Sequence, residues 1–138
     1  MGSGKTTVGR ETANALSIPC FDLDSMLEER LGMPVTEVFR QKGERFFRHE
    51  ESSLLRNIPA LLPEGSSAVV SCGGGIVLEP ENRDLLRSTG TVFLLEVSPE
   101  SVLERTAADN SRPLLIGRSP DEIRGMMAER GALYAEVL

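Results

Sequence analysis

The sequence is poor in the residues that build metal centres, catalytic triads and disulfide frameworks. Its 138 residues include one histidine, His49, and two cysteines, Cys20 and Cys72. A triad or a multi-histidine metal site is therefore not expected, and His49 reads as a solvated helix residue. The cysteines lie far apart, match no metal-ligand spacing and are too few for a disulfide framework. Each sits in or beside an apolar stretch and reads as a small buried hydrophobe. No run of eighteen apolar residues occurs, so no transmembrane helix and no membrane partner are expected. The opening Met1-Gly2-Ser3-Gly4-Lys5 lacks the apolar segment of a secretory signal, which leaves the cytoplasm as the expected location. Basic residues are also scarce. Fifteen stand against 21 acidic ones, for a net charge of −6 and a pI near 4.9. That balance argues against a nucleic-acid partner, which calls for a basic surface. Two of the fifteen are lysines and thirteen are arginines. Arginine gives the better bidentate grip on carboxylate and phosphate, although most of the excess reads as plain composition.

What remains is an ordinary globular composition, 40% hydrophobic and 26% charged. The length fits a single domain over 1–138 that buries its own core. No repeat, low-complexity tract or linker interrupts it. Helices are expected over 5–16, 25–31, 36–41, 44–57, 80–87, 98–107 and from Ser119 onward. Gly32 and Gly43 act as stops, and Pro59 ends or kinks the fourth helix. Ser119-Pro120-Asp121-Glu122 is a capping box with proline at the first helical position. Short strands are expected over 19–22 and 68–71. The clearest strand is 91–97 (TVFLLEV), a continuous apolar run suited to a sheet covered on both faces. Strands alternating with helices imply a three-layer α/β fold with a parallel sheet, helices on both faces and right-handed crossovers.

The strongest chemical signal is Gly2-Ser3-Gly4-Lys5-Thr6-Thr7. It is the end of a phosphate-binding loop of the form G-x-x-x-x-G-K-[ST]. Small residues let the backbone wrap a phosphate with several N–H groups pointing inward. The helix that follows adds the positive end of its dipole. Lys5 can reach the β- and γ-phosphates, and the Thr6 hydroxyl can bind Mg²⁺. A G-x-G-K-[ST] string arises by chance in a chain of this length with a probability on the order of 1%. The chain starts inside the motif. We expect the first loop glycine, and the strand that feeds the loop, to precede Met1.

Four weaker signals follow. Phe21-Asp22-Leu23-Asp24 places two acids at the end of a strand, where open α/β sheets bind ligands. One could hold Mg²⁺ and the other a substrate hydroxyl, although Asp24 could simply cap the next helix. In Gly43-Glu44-x-x-Phe47-Arg48-x-x-Glu51, Arg48 and Glu51 stand three apart on a helix and can pair. Spacing alone favours an ordinary exposed ion pair of little worth. Gly73-Gly74-Gly75 strips the sheet's carboxyl edge of side chains, so backbone can approach a ligand closely. Asn110-Ser111-Arg112-Pro113 puts an arginine on the loop of about 108–119. That loop could close as a lid, with Arg112 neutralising charge on a transferring phosphoryl group. The bland alternative is a surface arginine.

In this order, GSGKTT, FDLD, GE-x-x-FR-x-x-E, GGG, RPLL (112–115) and R-x-x-LY (130–134) closely resemble the shikimate kinase family. Together they span most of the chain. The resemblance implies a P-loop kinase that transfers the γ-phosphate of ATP to the 3-hydroxyl of shikimate, with Mg²⁺, in the pathway to chorismate and the aromatic amino acids. It implies that Gly2, Ser3, Gly4, Lys5, Thr6 and Thr7 bind the ATP phosphates. Asp22 would join Thr6 at Mg²⁺, and Asp24 would bind the shikimate hydroxyls and serve as base. Arg48 and Arg130 would hold the shikimate carboxylate. Gly74, within Gly73–Gly75, would offer a backbone contact. Arg112 would be the lid arginine, with Lys5, Asp24 and Arg112 the catalytic group. Phe39 and Phe47 would pack around the substrate. A monomer is expected. The family also continues past Leu138 into another strand, an adenine-contacting loop and a final helix. The alternatives are another small-molecule P-loop kinase, for gluconate or a nucleoside monophosphate, and a non-catalytic nucleotide-binding domain. The paired arginines and triple glycine speak against the first. Retention of Lys5, Asp24 and Arg112 speaks against the second.

Overall fold

The computed structural model describes residues 3–98, 100–101 and 119–138. Within it the chain forms two compact units, Gly4–Gly73 and Gly74–Leu138, the latter with Met1–Ser3. Gly2, Arg112, the 108–118 loop and most of the helix expected over 98–107 lie outside the described residues.

The first unit is built on two strands. β1 (Cys20–Asp22) pairs in parallel with β2 (Val69–Ser71), in the register Cys20 to Val69, Phe21 to Val70 and Asp22 to Ser71. The parallel sheet of the expected α/β fold is therefore present, with two strands assembled among the described residues. Helix α1 (Lys5–Leu16) packs on both strands. It starts at Gly4, whose φ of 80° and ψ of 18° lie in the left-handed region where glycine carries no Cβ penalty. Helix α2 (Leu23–Leu31) follows β1 without a loop and packs on α3 (Val35–Asn57). Leu23, Leu27, Val38, Phe47, Leu54, Leu55 and Ile58 form the buried core here.

Two helices expected over 36–41 and 44–57 are one element with a kink. Gly43 has φ 83° and ψ 167° inside α3, a combination confined to glycine. The sequence places the break correctly, but the chain resumes its helix on the far side. A short 3₁₀ turn, Ile58–Leu61, takes up Pro59.

In the second unit a 3₁₀ turn, Ile76–Leu78, leads into α4 (Pro80–Thr89). Helix α5 (Pro120–Ala135) carries the expected capping box, with the Ser119 and Glu122 side chains each bonded to the other's backbone N–H. Ile76, Val77, Ile123 and Val137 are buried. Asn82 Nδ2 donates to the Ile76 carbonyl at 3.0 Å and fastens α4 to the turn.

Two expectations are corrected. Residues 91–97 form no strand, and Phe93 is 83% exposed. An apolar run states what environment a segment suits. A strand also needs a neighbour to complete its hydrogen bonds, and among the described residues none pairs with it. Cys20 is exposed rather than a buried hydrophobe. It begins an edge strand on the face toward α1, where a Cβ at Gly9 would lie 3.8 Å from its Sγ, and it stays exposed at the strand's first residue.

Candidate functional site

The carboxyl ends of β1 and β2 bring Asp22 and Ser71 side by side, where ligands of open α/β sheets bind. Asp22 closes its strand and caps the following helix. Its Oδ1 accepts from the Ser25 backbone N–H at 3.1 Å, and its Oδ2 accepts from Thr6 Oγ1 at 2.7 Å. The cap of α2 is thus Asp22 and not Asp24, to which the sequence left the capping role open. Partial burial alone would raise the Asp22 pKa. Hydrogen bonds from Thr6, Ser25 and Ser71 outweigh it and hold the carboxyl below its ordinary value.

Thr6 and Thr7 are exposed on the first turn of α1, and Lys5 is half-buried. The first-turn N–H groups of a helix have no intrahelical acceptor, so this end of α1 offers donors to an anion. No acidic side chain stands in that turn to oppose one. Asp24 occupies the first turn of α2 and is half-buried. A Cβ added to Gly73 would lie 3.5 Å from Asp24 Oδ1 and 3.0 Å from Glu51 Oε1. The first glycine of the triplet therefore makes room for two carboxylates. The Cys72 thiol next to it is pushed up to about 12, first by burial, then by the charges of Glu51 and Asp24. It stays protonated at neutral pH, which makes it a poor nucleophile.

Arg48 departs from its expected setting. Its partner Glu51 is 1% exposed and Arg48 itself 8%. The pair is a buried salt bridge, with Nη1 2.6 Å from Glu51 Oε2. Spacing on a helix gives the pairing but not the burial, because burial depends on what packs against that face. Glu44 Oε1 stands 3.4 Å from Nη2. The guanidinium also lies over two rings, 6.0 Å from the centroid of Phe39 and 5.2 Å from that of Phe47, within cation–π reach. Those rings are 4.8 Å apart. Eight residues of straight helix would separate their backbones by about 12 Å along the axis. The kink at Gly43 closes that interval and makes the two phenylalanines one cradle for Arg48.

In the second unit, Arg130 of α5 is 6% exposed and has no hydrogen bond or ion pair among the described residues. Gly74 accepts a 2.7 Å hydrogen bond at its carbonyl from Tyr134 Oη. Gly75 starts the 3₁₀ turn. Ser3 is described as a half-buried bend.

The first unit thus brings together Thr6 with Asp22, and Asp24 with Gly73 and Glu51. Arg130 and Gly74 belong to the second unit. Sequence reasoning missed Ser71, which has no motif of its own and is found only through strand register. It also left Glu44 without a role, and it placed Phe39 and Phe47 around the substrate without pairing them under Arg48, although the glycine between the two phenylalanines was a visible signal.

A family model described as "Shikimate kinase" matches residues 1–138. The chain belongs to the shikimate kinase family. A shikimate kinase of Moorella thermoacetica is 45% identical over 135 residues, covering 98% of this chain and 76% of the relative. One of Enterococcus faecalis is 43% identical over 138 residues, covering 99% and 79%. Among solved structures, the shikimate kinase of Acinetobacter baumannii in complex with shikimate superposes with a TM-score of 0.89 at 34% identity, covering 99% of this chain and 75% of that one. The shikimate kinase of Aquifex aeolicus gives 0.81 at 34% identity, covering 99% and 78%. The α/β fold with its parallel sheet is therefore that of solved shikimate kinases.

Proposed function

We infer that this chain transfers the γ-phosphate of ATP to the 3-hydroxyl of shikimate, giving ADP and shikimate 3-phosphate. The observation that carries the substrate is Arg130, a residue 6% exposed with no hydrogen bond or ion pair among the described residues. Buried charges are costly unless paired, and a carboxylate ligand supplies the pair. Arg48 offers a second guanidinium, already fixed by Glu51 and two rings. The relative from Acinetobacter baumannii, solved with shikimate, supports that ligand.

The residue roles follow. Backbone N–H groups of Ser3, Gly4, Lys5, Thr6 and Thr7, with Gly2 before them, cradle the ATP phosphates. Lys5 stabilises charge that develops on the transferred group. Asp24 accepts a hydrogen bond from the attacking hydroxyl and takes its proton. Gly74, between Gly73 and Gly75, gives backbone contact to shikimate, and Arg112 serves as the second cation on the phosphates by its family motif.

Thr6 and Asp22 fit Mg²⁺. They present hard oxygen donors 2.7 Å apart, and Asp22 is held deprotonated. No cluster of three or more His, Cys, Asp or Glu suited to a metal occurs among the described residues. That suits an ion held by one or two protein oxygens plus phosphates and water. When bound, Mg²⁺ neutralises charge on the β- and γ-phosphates. No helix among the described residues is long and apolar enough to cross a membrane. A monomeric, cytoplasmic enzyme without nucleic-acid or membrane partners goes with this reading.

The test is ADP release from MgATP with shikimate, gluconate or AMP as acceptor. Turnover is expected with shikimate alone, and Lys5→Met should lower kcat by roughly 100-fold or more, the scale of lost charge stabilisation. Equal turnover with gluconate would sink the substrate reading.

A further inference from the structure

The triple glycine poses a physical problem. A backbone contact to a ligand needs a fixed peptide, yet three glycines have more conformational freedom to lose than any other triplet. Among the described residues two hydrogen bonds hold this one. The Leu78 N–H donates to the Gly75 carbonyl at 3.0 Å, which closes the local 3₁₀ turn. The other comes from 60 residues away, where Tyr134 Oη donates to the Gly74 carbonyl at 2.7 Å. That length is at the strong end for an O–H···O bond.

The second bond decides the orientation of the 74–75 peptide. No peptide bond among the described residues is cis. With the Gly74 carbonyl turned to Tyr134, the Gly75 N–H points the opposite way. Neither Gly74 nor Gly75 has an acceptor for its N–H among the described residues, so both donors are kept for something else. Tyr134 also stands one turn beyond Arg130 on α5, an i, i+4 pair on one helix face. Arg130 is buried there and has no hydrogen bond or ion pair among the described residues. The phenol therefore ties the helix that carries Arg130 to the turn that carries the Gly74 and Gly75 N–H groups.

We propose that Tyr134 is a positioning residue for shikimate: its hydroxyl, bonded to the Gly74 carbonyl, fixes the glycine turn against the helix face that presents Arg130. This rests on the substrate reading given above. Tyr134 touches no reacting atom. It acts through Gly74 and Arg130, so its loss should fall on the apparent affinity for shikimate and spare ATP.

The test compares the full chain as wild type, Tyr134→Phe, Arg130→Lys and the double variant, by steady-state kinetics and thermal unfolding. Tyr134→Phe removes one oxygen and keeps the ring. It should raise the KM for shikimate about tenfold, the upper scale of one neutral hydrogen bond, and leave the KM for ATP unmoved. The double variant should show less than the product of the two single effects, because both act on one contact. An unchanged shikimate KM in Tyr134→Phe, with Arg130→Lys impaired, would overturn the proposal and leave the substrate reading standing. Equal rises in both KM values would also overturn it, since general loosening does that. An unchanged shikimate KM in Arg130→Lys would overturn the substrate reading itself. Because Tyr134 is the one tyrosine of the chain, 3-fluorotyrosine incorporation gives a second readout that needs no mutation. The ¹⁹F resonance should move on titration with shikimate and stay put with ATP. A resonance indifferent to shikimate would count against the proposal.

Discussion

Arg48 Nη1 lies 2.6 Å from Glu51 Oε2, and both side chains are buried. A buried pair behaves differently from a surface one. Removing one member leaves an uncompensated charge in a poorly solvated place and costs about 3–5 kcal/mol. Glu51→Ala should therefore lower stability by that amount in urea unfolding. The exposed pair of Arg40 and Glu37, also three residues apart, is the control. Arg40→Ala should change stability little, and an equal loss in both variants would show that burial is not the cause.

Arg48→Lys tests ligand binding through the same residue. Lysine keeps the charge but loses the planar fork and its stacking on Phe39 and Phe47. Shikimate affinity should fall by roughly 1.5–3 kcal/mol, the scale of a hydrogen bond to a charged group, with ATP affinity little changed. Stability should fall too, which an exposed pair would not predict. Calorimetric titration with each ligand, alongside thermal unfolding, separates the two effects.

Gly73→Ala should be destabilising. The added Cβ would meet Glu51 Oε1 at 3.0 Å, and that carboxylate is held by Arg48 and cannot easily retreat. A cost of about 1–3 kcal/mol is expected, the range for overpacking. Gly90→Ala, where the Cβ would meet nothing within 4 Å, should be close to neutral. Similar losses at the two glycines in urea unfolding would contradict this.

The Asp22 carboxyl titrates below its ordinary 3.8 in the folded protein. Its contribution to stability is full above that value and is lost as pH falls through the lower, folded one. Thr6→Val removes one hydrogen bond that holds it down. NMR titration of Asp22 should then show its pKa rising, and the acid-side loss of stability should shrink. A pKa unmoved by the substitution would remove Thr6 as a cause.

Cysteine labelling reads the same carboxylate-rich corner. The Cys72 thiol is pushed up to about 12, whereas Cys20 is exposed. Iodoacetamide at pH 8 should alkylate Cys20 and spare Cys72, as seen by peptide mass mapping. Rapid labelling of Cys72 in the folded protein would contradict its desolvated setting.

Much of this protein follows from local rules that residues obey wherever they sit. Gly4-Lys5-Thr6 opens a helix because glycine tolerates a positive φ and the helix start is unsatisfied. Ser119-Pro120-Asp121-Glu122 caps α5 by its own hydrogen bonds, and Gly43 breaks α3 because of its backbone. Residue type and spacing determine such features, so the sequence alone determined the motif set, the places of most helices among the described residues and the family they resemble. Tertiary structure decided what depends on neighbours distant in sequence. The 91–97 run has strand-like composition but no paired neighbour among the described residues. Arg48 and Glu51 have the spacing of a surface pair and the burial of a core one, because α3 bends at Gly43 and packs against α2. The Tyr134 bond to Gly74 spans 60 residues, and nothing local to either residue encodes it. Spacing fixes which groups can meet along one element. Burial and partnership are set by the elements that pack over them.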